Sequence, residues 1–268
     1  MTPQALTDGE FVRFQRFIHQ SAGITLSGSK KALVAGRLAK RVAHHGLQSF
    51  SSYLDLLAGS DAAAEVQTAV DLLTTNETYF FREAKHFELL REMAVAARER
   101  RGALRVWSAA CSSGEEVYSI AMVLDEVLGS GAWEVLGSDI SSRVLQRARL
   151  GHYLVERTRH IPAHYLKRYC LRGTAEHEGT LLVERSLRQR VQFAQINLNE
   201  PLPRLGSFDM IFLRNVMIYF NADTKRQVVA RLLAQLAPGG VFCIGHSETL
   251  NDISNAVEQI APSVYRKP

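Results

Sequence analysis

The sequence predicts an α/β protein: a doubly wound, Rossmann-like, mostly parallel sheet with a small all-helical N-terminal domain and an inserted antiparallel β-subdomain. Residues up to about 75 show helical periodicity and offer no strand candidate. Beyond them, short β-rich apolar runs alternate with helical stretches of about 10–15 residues, the pattern of right-handed βαβ units. One stretch, about 169–190, breaks the alternation with Gly173 and Gly179 flanking a polar tip. The expected organisation is therefore a helical domain over 1–75 and a sheet domain over 76–268, with the β-insert at about 169–190.

In the helical domain, "DGEFVRFQRFIHQ" starts at Asp8 as a cap and repeats apolar residues at Phe11, Phe14 and Phe17/Ile18. Ser29 is the expected cap of "KKALVAGRLAKRVAHHG", which Gly46 closes and whose Val34, Leu38 and Val42 share one flank. "SFSSYLDLLAG" and a helix from about Asp61 to Leu73 complete a bundle. The sheet then reads as the strand "ALRVWSAA", the helix "EEVYSIAMVLDEVLG", the strand "WEVLGSDI", the helix "SSRVLQRARLG" and the strand "VQFAQIN". "FDMIFLRNVMIYF", the helix "TKRQVVARLLAQLA", a "PGG" turn and "VFCIGHSE" follow, with "SVYRKP" as an antiparallel edge strand.

A chain of 268 residues that is 46% hydrophobic and 22% charged buries a substantial core. No apolar run reaches the ~18 residues of a membrane span, and the N-terminus has no basic leader followed by an apolar block. Cys111, Cys170 and Cys243 lie far apart without a CxxC pair, which indicates reduced thiols and a cytoplasmic location. His160 and His164 are four apart, but Pro162 intervenes and no third ligand is evident, so no metal is expected. Net charge is +5, unevenly placed: from Phe11 to Leu54 there are seven Lys/Arg and no acid. Arg37, Lys40 and Arg41 belong to that stretch. It suits an anionic partner, whether nucleic acid, membrane surface or acidic protein; the bland alternative is a solvated helix face.

Ligands of open α/β sheets bind beyond the carboxyl ends of the strands. After the first strand, "SAACSSGEE" supplies small residues for close backbone approach, then Glu115 and Glu116 at a helix start. Acids are at home there because of the helix dipole, but they repel a pyrophosphate and favour a cationic ligand. The second strand ends in Asp139, 24 residues past Glu115, the usual position of a partner for ribose hydroxyls. Adenosine without phosphates and with a cationic tail points to S-adenosylmethionine, and hence to a class I methyltransferase. The fourth strand ends in Arg214-Asn215-Val216-Met217, without the proline-rich motif expected for methylation of base amino groups.

"TNETYFFRE", "RVWSAACSSGEEVYSIA", "SDIS", "NL", "FDMIFLRNVMIYF" and "GHSE" together resemble the CheR family of chemoreceptor glutamate methyltransferases. The resemblance runs from the helical part to the last strand. It implies a helical domain, an S-adenosylmethionine domain with an inserted β-subdomain, and methyl ester formation on glutamates of bacterial chemoreceptor helices. It also implies cofactor contacts from Asn76, Thr78, Arg82, Glu116, Asp139, Asn197, Leu198, Asn215 and Val216, with S-adenosylhomocysteine as product. Arg82 and Tyr219 would orient the reacting groups, although Tyr219 reads equally well as an interior aromatic of "MIYF". Val117 departs from the family, where many members have proline.

A carboxylate is ionised at neutral pH and needs no general base, so alignment and exclusion of water are the main tasks. Arg37, Lys40 and Arg41 are expected to dock an acidic receptor helix, and the β-insert to accept a receptor C-terminal peptide in some members. Two rivals stay open: an RNA or small-molecule methyltransferase with the same cofactor, and a non-catalytic adaptor that binds the cofactor as a signal. In "NETYFFRE", Phe80 and Phe81 are expected to anchor a lid that fixes Arg82 over the site.

Overall fold

The computed structural model describes residues 4–268. Four amphipathic helices form the helical domain: α1 (Asp8–Ala22), α2 (Lys31–His44), α3 (Phe50–Leu57) and α4 (Ala63–Leu73). Their apolar flanks share one core in which Phe14, Ile18, Val34, Leu38, Val42 and Tyr53 are fully inaccessible. Two caps differ from expectation. Thr7, rather than Asp8, caps α1, because Glu10 returns a bond to the Thr7 N–H and completes a capping box. Ser29 lies inside a 3-10 turn (Gly28–Lys30) that runs straight into α2, and its hydroxyl pairs with Ser27. Between the helices, Glu65 gathers Arg41, the Tyr53 hydroxyl at 2.5 Å and His45 at 3.0 Å. Burial alone would raise the Glu65 carboxyl, but these donors outweigh it and hold the pKa down to about 2.

A helix absent from the sequence reading, α5 (Lys85–Glu99), leads into the sheet. Its buried face is His86, Phe87, Leu90, Ala94 and Ala97, and the histidine and alanines make the apolar signal weak. The chain continues through β1 (Leu104–Ser108), α6 (Glu115–Leu128), β2 (Trp133–Asp139) and α7 (Ser142–Leu150). The insert follows as β3 (His152–Leu154), α8 (Ala163–Tyr169), β4 (Cys170–Arg172) and β5 (Thr180–Val183). A short α9 (Arg185–Arg188) returns to β6 (Val191–Gln195), and then come β7 (Phe208–Leu213), α10 (Ala222–Ala234), β8 (Leu236–Ile244), β9 (Glu258–Ala261) and β10 (Val264–Arg266).

The large sheet has the order β6-β2-β1-β7-β8-β10-β9, parallel from β6 to β8. One core packs α5, α6 and the insert on one face; a second packs α10 on the other. Three boundaries depart from the sequence reading. The insert forms a three-stranded sheet, β3-β5-β4, that starts at His152, because the three-residue β3 is too short to show alternation. β8 runs through Pro238-Gly239-Gly240, expected as a turn; a register shift against β7 between Phe208 and Met210 absorbs it. The "SVYRKP" strand, β10, is interior, and β9 takes the edge with all four residues exposed, so no apolar pattern announces it. All three cysteines are free, with Cys111 and Cys243 buried as packing groups.

Ties between the domains are polar and specific. The Asp71 carboxylate on α4 accepts the Ser142 N–H at 3.0 Å, the Ser142 hydroxyl at 2.7 Å and the Arg143 N–H at 3.2 Å, an acid seated on the N-terminus of α7. Asn197 Nδ2 donates to the Ser21 carbonyl at 2.8 Å, and the Thr25 N–H donates to the Tyr219 carbonyl at 2.8 Å.

Candidate functional site

From β1 the chain passes to β2 and β6 on one side, then crosses back to β7 on the other. That switch point is where an open α/β sheet leaves a crevice. A cavity of about 410 Å³ occupies it, large enough for a nucleoside-sized ligand. Asn76, Thr78, Arg82, Glu116, Asp139, Asn197, Leu198, Asn215, Val216 and Tyr219 all line it. Sequence reasoning missed the opposite wall, which the helical domain supplies through Ala22, Ile24, Thr25, Leu26, Lys30 and Leu33.

Of the two acids that open α6, only Glu116 faces the cavity. Glu115 is fully buried behind it, hydrogen-bonded by the Ser113 hydroxyl at 2.7 Å and paired with Arg157 at 2.5 Å. Burial raises the Glu115 carboxyl despite that arginine. Glu116 is held by the Ser108 hydroxyl at 2.7 Å and by Arg214 Nη1 at 2.8 Å. Asp139 ends β2 with its two oxygens on the Ser112 and Ser141 N–H groups, each at 2.9 Å. Burial raises the Asp139 carboxyl, and these two N–H donors counter the rise.

Asn215 follows β7 in the left-handed region, φ 57°. The Glu248 carboxylate holds it there, accepting from the Asn215 N–H at 2.9 Å and the Gly245 N–H at 2.7 Å. Glycine is required at 245, because a Cβ there would fall 2.5 Å from Asn215 Nδ2. The "GHSE" motif therefore supports the cavity floor. Asn197, on the cavity wall, uses its side-chain amide on the Ser21 carbonyl, Glu200 and the Asn199 N–H.

The "NETYFFRE" segment is clamped as its aromatics predict. Phe80 is fully buried, edge-on to Tyr153 with centroids 5.0 Å apart, and Phe81 stacks on Tyr165 at 5.2 Å. Phe81 and Glu83 both adopt positive φ, 54° and 59°, a strain of about 1–3 kcal/mol each that the surrounding packing sustains. Arg82, between them, is half-buried on the cavity wall and bonds the Glu77 carbonyl at 3.3 Å; it has no carboxylate partner among the described residues. Tyr219 is half-buried on the same wall.

Arg214 is the functional residue that sequence reasoning passed over. Only 2% of its side chain is exposed, and it bonds Glu116, Glu83 Oε2 at 3.1 Å and the Arg82 carbonyl. The available signal was an arginine directly after the six residues of an apolar strand; its acidic partners, Glu83 and Glu116, lie far away in the sequence. The three docking candidates divide. Arg37 donates to the Leu73 and Thr74 carbonyls at 3.0 Å each, and Arg41 is paired with Glu65, so both are bound into the helical domain. Lys40 is exposed, and so is Lys30 at the cavity mouth.

The donor set fits a cationic adenosine derivative better than a nucleotide. Acids cover the start of α6 where a phosphate would sit, and Glu116 and Asp139 offer carboxylates to an ammonium group and to hydroxyls. Comparison with known proteins agrees. Residues 76–265 match the model described as "CheR methyltransferase, SAM binding domain", and residues 9–74 match "CheR methyltransferase, all-alpha domain". The chemotaxis protein methyltransferase of Escherichia coli (strain K12) is 43% identical over 266 residues, covering 97% of this chain and 91% of that protein. Its counterpart in Salmonella typhimurium is 42% identical over 264 residues, with 97% and 91% covered. Chemotaxis protein methyltransferase 2 of Pseudomonas aeruginosa is 42% identical over 262 residues, with 97% and 93% covered. The chain belongs to the CheR methyltransferase family, and its cofactor is S-adenosylmethionine.

Proposed function

We propose that this enzyme methylates glutamate side-chain carboxylates on the cytoplasmic helices of bacterial chemoreceptors, giving methyl esters. The carrying observation is Arg82: a half-buried guanidinium on the cavity wall, without a carboxylate partner among the described residues, in a cavity whose other buried arginine, Arg214, has two. A fixed cation without an internal anion is suited to receive one from a substrate. The names of the relatives, chemotaxis protein methyltransferases, supply the class of target.

S-adenosylmethionine supplies a methyl group on a sulfonium. The chain's own residues do the rest. Glu116 binds an ammonium group and Asp139 hydroxyls, while Phe80 and Phe81 hold the segment that carries Arg82. Arg82 binds the incoming carboxylate by charge-assisted hydrogen bonds, and the Tyr219 hydroxyl donates one more. The carboxylate is already ionised, so no residue needs to take a proton. Closure between the helical domain and the sheet keeps water from the reacting atoms.

Lys30 and Lys40 steer the acidic helix, with Arg37 and Arg41 adding to the same positive field from inside the helical domain. The insert has two outer strands, β3 and β4, and either edge can accept a receptor C-terminal peptide as an added strand. The test is transfer of labelled methyl from S-adenosylmethionine to chemoreceptor cytoplasmic fragments, followed by mild alkali. Release of label as methanol is expected. Alkali-stable label, or transfer to RNA and none to receptor, would overturn the reading.

A further inference from the structure

Beside the cavity, three segments bring nitrogen and oxygen donors together: the end of the "NETYFFRE" segment, the first turn of α5 and the loop after β8. Glu83, His86 and His246 each present one ligand atom, all within 4.8 Å of one another. His86 is 1% exposed, and its tautomer follows from its neighbours. Ser263 has a single hydroxyl hydrogen and donates it to the Pro262 carbonyl at 2.6 Å, so it accepts from His86 Nε2 at 3.0 Å. The proton therefore sits on Nε2, and Nδ1 is a bare lone pair. That lone pair faces Glu83 Oε2 at 3.6 Å, acceptor against acceptor, and no donor among the described residues reaches it.

His246 completes the group. Its Nε2 is 3.8 Å from the same Glu83 oxygen, its ring stands edge-on to His86 with centroids 5.5 Å apart, and its backbone N–H holds the other Glu83 oxygen at 3.1 Å. A surface cavity of about 370 Å³ bordered by His246, Lys85 and Ser263 gives access from solvent.

We propose that Glu83, His86 and His246 form a binding site for a divalent transition-metal ion of the zinc class. Two imidazoles and one carboxylate suit zinc, cobalt or nickel rather than magnesium or calcium, and water from the adjoining cavity fills the remaining position. Ser263 orients the buried imidazole from behind, as outer-shell partners of ligating histidines do. Arg214 shares Glu83 Oε2 at 3.1 Å and lowers the affinity, so a bound ion competes with the guanidinium that also holds Glu116. Metal occupancy and the cofactor cavity are thereby coupled.

Cobalt(II) titrated into the full chain, without cofactor or receptor, reads the site independently of methyl transfer. The expected result is a stoichiometric visible d–d band that zinc abolishes. In His246→Gln, whose native side chain is 53% exposed and removable without disturbing the core, the band is lost or its affinity falls by at least about tenfold. The absence of a band in the wild type, or an equal band in the wild type and His246→Gln, overturns the proposal.

Discussion

Replacing Arg214 with methionine keeps an unbranched apolar stem, shorter than arginine, and removes the guanidinium and its charge. In the wild type the guanidinium is 2% exposed and compensates two carboxylates, Glu83 and Glu116, whose side chains are 10% and 13% exposed. Removing one side of a buried ion pair costs about 3–5 kcal/mol, because the remaining charge is stranded. Two acids and the Arg82 carbonyl lose a donor here, which places the expected loss in the upper half of that range. The sign with pH follows from Glu83. Burial raises its carboxyl, but Arg214 and His246 together outweigh burial and the net pKa is lowered. Its contribution is present above the ordinary carboxylate pKa and disappears as pH falls through the lowered value. In the variant the Glu83 carboxyl rises, so the gap between the two proteins is widest near about pH 7 and narrows towards about pH 4. Urea unfolding at both pH values measures it. A loss under about 1 kcal/mol at neutral pH, or one independent of pH, refutes the reasoning. S-adenosylhomocysteine binding should weaken in the same variant, since Glu116 is no longer held.

Arg82→Ala is expected to lower kcat/KM about 10- to 100-fold, with product binding changed far less; unchanged turnover would remove its orienting role. Tyr219→Phe should cost only about 2- to 10-fold, the worth of one neutral hydrogen bond, and a null effect would return Tyr219 to packing alone. In the helical domain, Glu65 contributes about 3 kcal/mol above its ordinary pKa of 4.5, lost as pH falls towards 2; Glu65→Gln should abolish that part of the acid unfolding profile. Charge reversal of Lys30 and Lys40 together should slow receptor methylation at low ionic strength and have little effect at about 1 M salt, where the Debye length is near 3 Å. A slowing that salt does not relieve would argue against electrostatic steering.

Much of the fold is legible because period and position speak for themselves. The apolar rows Phe11/Phe14/Ile18 and Val34/Leu38/Val42 are continuous, and the parallel strands are apolar-rich runs broken only at single positions such as Arg105, Glu134, Gln192 and Asp209. Glu116, Asp139, Asn197 and Asn215 stand just past strand ends, where chain order locates them, whereas Asn76, Thr78 and Arg82 precede the sheet and were legible only through the family resemblance. The weaker signals failed for identifiable reasons. Two of the five buried residues of α5 are alanine and one is histidine, β3 has three residues, and β9 is wholly exposed. Counting charge in Arg37 and Arg41 could not reveal that carbonyls and Glu65 already engage them. The helical wall of the cavity was invisible because Ile24, Thr25 and Leu26 have no motif of their own; tertiary ties at Ser21, Tyr219 and Phe220 bring them there.

Because those ties put part of the binding surface on a separate folding unit, cofactor supply acts on the cohesion of the molecule. A ligand held between the two units stabilises whatever apposition it requires, by about 2.7 kcal/mol at a hundredfold excess over its Kd. Substrate and product both carry the adenosine part, so either can supply this cohesion whatever the direction of methyl flow. Without either ligand, the contact rests on the protein's own ties, among them the bonds accepted by Asp71, those donated by Asn197, Asn199 and Thr25, and the Ile24–Phe220 bridge, and the helical domain is expected to open and be cleaved more readily. Limited proteolysis of the full chain with and without S-adenosylhomocysteine reads this cohesion directly: protection of the helical domain by the ligand is the expected result.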